Sequence, residues 1–108
     1  MMGDDEQPEW DQTIADAMIG AVVLIGVTYV HPEADTREQM YGVIDSVDEI
    51  DGFEIILSGA REGETYRLPP DLQSFERAPP GDYRLRSTGE TVTDPEYISQ
   101  WTVRAPAN

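Results

Sequence analysis

Fourteen residues, Ala17 to Val30, form the longest apolar run of this chain, and the residues ahead of them carry acids and no base. That pairing removes two fates at once. A bilayer-spanning helix needs roughly 20 apolar residues, and a secretory signal needs a positive region before its apolar stretch. The run is therefore expected inside a folded domain, in a cytoplasmic protein that avoids membranes. Its second half, Ala21-Val-Val-Leu-Ile-Gly-Val-Thr-Tyr-Val30, is rich in β-branched residues. It reads as a strand buried on both faces or covered by the segment before it.

Charge narrows the function more than any motif does. The 108 residues hold 22 acids and 7 bases, a formal charge of −15. Such a field repels phosphate backbones and anionic lipid, so nucleic acid and membrane are excluded as partners. Residues 67–108 are nearly neutral, and the front of the chain carries the field. All seven bases are arginine, which removes lysine catalysis and the phosphate-loop lysine. The absence of cysteine removes disulfides, thiolate metal sites and thiol nucleophiles. His31 is the lone histidine, too few for a histidine-rich metal site.

Residues 1–8 read as a disordered acidic tail, and 9–108 as a single small β-barrel domain. Pro8, the nearby acids and the spacing of Trp10, Ile14 and Met18 predict a helix from Glu9 to Ala17, ended by Gly20. A second strand is expected over Arg37–Val47, bent or bulged at Gly42. Asp51-Gly52 marks a hairpin turn into a third strand, Phe53–Ser58, whose Phe53, Ile55 and Leu57 share one face. A fourth strand follows at Glu64–Leu68. The paired prolines of Leu68-Pro-Pro-Asp-Leu72 and Ala78-Pro-Pro-Gly81 must leave the sheet. Asp82–Arg86, Thr91–Thr93 and Tyr97–Arg104 supply short closing strands. The expected fold is mainly β: a small SH3-like or Sm-like barrel with a short N-terminal helix, the alternative being an open α+β sheet.

Several stretches carry a resemblance: Thr28-Tyr-Val30, Met40-Tyr-Gly-Val-Ile44, Leu68-Pro-Pro-Asp-Leu72, Asp94-Pro-Glu-Tyr97, Trp101 and, most distinctive, Gly81-Asp-Tyr-Arg-Leu-Arg-Ser-Thr-Gly-Glu90. On these the chain, from about Ile19 onward, resembles an uncharacterised family of small bacterial proteins. That resemblance covers roughly four fifths of the sequence and transfers no catalytic residue. The helix-then-strands order is also similar to Sm-like proteins, which form rings and bind RNA. Ser58-Gly-Ala-Arg61 departs from their RNA-binding signature, and the charge opposes RNA.

Four constellations remain. Asp45, Asp48, Glu49, Asp51 and Glu54 crowd one turn without the order of an EF-hand loop, and read as a solvated hairpin tip rather than a cation site. His31 lacks a nucleophile and an orienting carboxylate, and reads as an exposed loop residue. Arg84 and Arg86 fall on one strand face with Tyr83 and Leu85 on the other. They either pair with acids across the sheet or read a carboxylate beside Tyr97 or Trp101. Phe75 lies in the proline-rich connection 68–81, expected either to expose it as a contact residue or to close one barrel end. No catalytic residue, metal or cofactor is expected. The function anticipated is a nonenzymatic acidic interaction module that binds a basic partner protein or a second copy of itself. The alternative is a small-ligand or cation-binding sensor that uses the barrel mouth or the Asp45–Glu54 turn. Tyr83, Arg84, Arg86 and Phe75 are the candidate binding residues.

Overall fold

Asp11 starts the only α-helix among the described residues, which in this computed structural model are residues 10–104. Its carboxylate accepts from the backbone N–H of Thr13 (3.0 Å) and Ile14 (3.2 Å), satisfying two donors that a helix start leaves open. The helix, α1, spans Gln12–Met18 and buries Ala15 and Met18. The expected four-residue stripe does not form: Ile14 is 51% exposed, and Trp10 lies before the helix, edge-on to Phe53. The expected acidic tail, with Pro8 and Glu9, lies outside the described residues.

Eight strands follow: β1 Val22–Val30, β2 Thr36–Asp48, β3 Gly52–Leu57, β4 Thr65–Leu68, β5 Phe75–Arg77, β6 Asp82–Arg84, β7 Thr91–Thr93 and β8 Tyr97–Arg104. Six form one sheet in the order β4-β3-β2-β1-β8-β5, and β6 and β7 form a separate hairpin. All neighbours are antiparallel except β1 and β8, which run parallel with Val23 opposite Tyr97.

β1 is covered on both faces, as its composition requires. Val23, Ile25 and Val27 enter the main core with Met40, Ile44, Phe53, Ile55 and Leu57. On the opposite face Leu24 packs with Leu85 and Val92 from the β6–β7 segment, flanked by Val22, Tyr41, Tyr83 and Ile98. We refer to the main-core side as the inner face and to the hairpin side as the outer face.

The chain is thus mainly β with one short helix, and its sheets are not closed: no ladder joins β4 to β5. The sheet is nevertheless rolled. Phe53 on β3 and Phe75 on β5 are four strand positions apart, about 19 Å in a flat sheet. Their rings stack with centroids 4.1 Å apart, and Trp101 meets Phe75 edge-on. Phe75 is only 8% exposed, so the expectation of an exposed Phe75 contact is corrected. It sits in the core because Phe75–Arg77 leaves the proline-rich connection to pair with β8. Ser99 secures that edge: its hydroxyl donates to the Ser74 carbonyl (2.8 Å) and accepts from the Trp101 indole (2.7 Å).

The bulge expected at Gly42 falls at a later residue. The register of β2 against β3 shifts between Ile44 and Ser46, so the extra residue is Asp45. Gly42 instead permits close approach. A Cβ there would meet the Ile56 carbonyl oxygen, and would lie 2.8 Å from Leu57 Cα.

Candidate functional site

The β6–β7 hairpin is docked on the outer face by polar contacts as well as by its buried Leu85 and Val92. The Arg86 N–H donates to Gln39 Oε1 (2.6 Å), and the Gln39 N–H donates to Ser87 Oγ (3.2 Å). The Ala60 N–H donates to Glu90 Oε2 (2.9 Å). Tyr83 is an anchor: its ring lies against the Leu24–Leu85 cluster and its hydroxyl donates to the Pro79 carbonyl (2.6 Å). The inward Leu85 and outward Arg84 and Arg86 follow the expected alternation. The strand ends at Arg84, however, and Arg86 opens the turn. The two arginines therefore part company. Neither has a carboxylate oxygen within 4.0 Å among the described residues, so the expected cross-sheet pairing is absent there.

Arg86 borders a groove of about 620 Å³ on the outer face, beside the hairpin. Register explains its floor. Gln39, Gly26 and Gln100 form one row across β2, β1 and β8, and Arg37, Thr28 and Thr102 form the next. Gly26 leaves the first row hollow, since a Cβ there would find only Gln100 Cγ, 4.0 Å away. Arg37 went unremarked in the sequence because nothing local ties it to Arg86; the antiparallel register of β1 and β2 places it there.

A second surface is the β2–β3 hairpin. Val43 and Ile56 are directly paired and 37% and 36% exposed on the outer face, just beyond the area covered by β6–β7. Ile50 at the hairpin tip is 84% exposed. The same hairpin carries the exposed Asp45, Asp48, Glu49 and Asp51 and the half-buried Glu54. Asp48 shapes the tip by accepting from the backbone N–H of Ile50 (2.6 Å) and Asp51 (3.2 Å). Those two hydrogen bonds lower its pKa, the Ile50 bond most. Glu54 accepts from Ser46 Oγ (3.2 Å) and lies 3.8 Å from Arg67. The acidic cluster and the apolar residues thus share one projecting element.

A third cluster lies on the inner face near the β3–β4 loop. Arg61 bridges Glu64 (2.9 Å) and Glu38 (3.7 Å), and Tyr29 donates to Glu38 (3.5 Å). Burial, then the neighbouring Tyr29 and Glu38, push the Tyr66 phenol from 10.0 up to about 12. A raised folded value means that this contribution to stability is complete below pH 10 and drains away between pH 10 and about 12. Absorbance titration of the folded protein should show one tyrosine ionising near the top of that window. Tyr66→Phe should remove that step and flatten the alkaline loss of stability; an unchanged titration curve would contradict the assignment.

Among the described residues, no group of three or more His, Asp or Glu side chains is arranged to hold a metal ion, and no helix is long and apolar enough to cross a membrane. His31 is exposed, with only Thr36 Oγ1 near its Nε2 (3.5 Å). Compared with protein-family models, curated proteins and solved structures, the chain matches none.

Proposed function

We propose that this protein is a nonenzymatic acidic interaction module, of the small bacterial family its Gly81–Glu90 stretch resembles, and that it binds a basic partner protein through the β2–β3 hairpin. The observation that carries this reading is that one hairpin bears the exposed Val43, Ile50 and Ile56 together with the exposed acids Asp45, Asp48, Glu49 and Asp51. Apolar side chains left in water supply the desolvation gain of an interface. The acids select and steer a positively charged surface toward it. The rolled sheet is a small barrel of the SH3-like kind left open between β4 and β5, a rigid base for the projecting hairpin. The same reading places the protein in the cytoplasm.

Immobilised protein exposed to lysate of the source organism should retain one basic protein at low salt and release it as salt rises. Ile50→Ser combined with Ile56→Thr should abolish retention while leaving the melting temperature within a few degrees, because exposed substitutions cost about 0.5 kcal/mol or less. Equal retention by this variant would overturn the hairpin as the contact surface. Retention of a second copy of the same chain, seen as a dimer in light scattering, would replace the basic partner with self-association.

A further inference from the structure

The groove beside Arg86 goes beyond the protein-partner reading, because it lies at the other end of β2, against β1 and β8, and has the opposite chemistry. Five of the seven arginines, Arg37, Arg77, Arg84, Arg86 and Arg104, have no carboxylate within 4.0 Å among the described residues, although acids outnumber bases 22 to 7. Two of these five, Arg37 and Arg86, border the same groove. The one acid along its lining is Glu38, and strand alternation turns Glu38 toward the inner face. There it is engaged by Tyr29 and Arg61. No carboxylate side chain therefore answers the two guanidinium groups from within the groove.

One neutral group, the Gln39 amide, is oriented as a donor. Gln39 Oε1 is occupied by the Arg86 N–H, which fixes the orientation of that amide and leaves its NH₂ to offer. Ser87 spends its hydroxyl on the Gln39 backbone, accepting from its N–H and donating to its carbonyl. That bracing holds the Arg86 turn over the floor. What faces a visitor is two guanidinium groups, one amide NH₂, the Thr28 and Thr102 hydroxyls and the Gln100 amide around the hollow at Gly26.

We infer that this groove binds a small polar monocarboxylate. A guanidinium fork matches a carboxylate's geometry, and the hydroxyls and Gln100 suit a hydroxylated or amide-bearing body. The volume lies within the range of small-molecule sites, roughly 300–1,000 Å³. The net charge chooses among anions: a field of −15 repels a ligand in proportion to its charge, so a single carboxylate is favoured over phosphate esters or polyphosphates.

Titration of the ¹⁵N-labelled full chain with sodium gluconate, followed by NMR, tests this directly. The expected result is saturable shifts at the amides of Gly26, Gln39 and Gln100 and at the side-chain Nε–H of Arg37 and Arg86. Sorbitol, with a similar body and no carboxylate, should produce none. Arg37→Gln and Arg86→Gln should each weaken binding about tenfold, the usual consequence of losing one charge-assisted contact, whereas Arg84→Gln should leave it unchanged. Gly26→Val should fill the hollow and abolish binding without altering charge, with the melting temperature as the check that the sheet persists. Absence of saturable shifts, equal binding by Arg86→Gln, or equal shifts with sorbitol would overturn the site. Tighter binding of inorganic phosphate than of gluconate would overturn the ligand class. None of these outcomes depends on the β2–β3 hairpin, so this site and the protein interface stand or fall separately.

Discussion

Gly42→Ala is expected to cost about 3 kcal/mol, at the upper end of ordinary overpacking. For a domain of this size that is a fall of roughly 10–20 °C in melting temperature. One methyl group causes this because the space it needs belongs to backbone. The new Cβ would run into the Ile56 carbonyl and lie 2.8 Å from Leu57 Cα, neither of which can rotate aside. Relief requires β3 to move away from β2, and β3 carries Phe53, Ile55 and Leu57 into the core. Gly26→Ala is the matched control: it makes the same chemical change in the neighbouring strand, where nothing lies closer than 4.0 Å. Thermal unfolding followed by far-ultraviolet circular dichroism would rank the pair. Equal melting temperatures would show that β3 does not approach Gly42 as closely as described.

Phe75→Ala is the second large effect, expected at about 3–5 kcal/mol for a buried aromatic. Its consequences should be spatially uneven. Phe75 stacks on Phe53 and meets Trp101, so its ring holds the β5 edge over the β3 side of an open sheet. Without it, the three-residue β5 retains its pairing to β8 and the Ser99–Ser74 hydrogen bond but little to bring the two sides together. Hydrogen exchange should accelerate first across 72–77 and the facing residues of β8, while the β1–β2 ladder keeps more of its protection. Uniform acceleration along the whole chain would argue that the stacking does not close the roll locally. Phe75→Leu, which restores most of the volume, should recover much of the loss.

Much of this architecture is written in local sequence. The β-branched run Val22–Val30, the Asp51-Gly52 turn, the alternation of Phe53, Ile55 and Leu57, and the strands Thr91–Thr93 and Tyr97–Arg104 all carry short-range signals that the structure follows. The helix boundary was harder. Trp10, Ile14 and Met18 recur at helical spacing, but the Asp11 cap places Trp10 outside the helix and the buried pair is Ala15 with Met18. β5 escaped notice because three residues between two proline pairs offer no periodicity, and its strand geometry comes from Ser99 and Tyr97 across the ladder. The parallel pairing of β1 with β8 is likewise non-local, joining residues more than 70 positions apart.

The candidate surfaces divide in the same way. Arg86 and the Asp45–Glu54 acids can be picked out by residue type. Their companions Arg37, Gly26 and Gln100, and Val43 with Ile56, are brought in only by strand register. Phe75 shows the opposite failure. A phenylalanine among prolines looks exposed in one dimension, and the roll buries it in three.

The central claim is that the β2–β3 hairpin is the protein-binding element, and a hydrogen-exchange footprint on the captured complex tests it most directly. The account predicts slowed exchange at amides of residues 43–56 on complex formation at low salt, with residues 26–28 and 100–102 unchanged. Protection confined to another surface, with the hairpin exchanging as in the free protein, would contradict it.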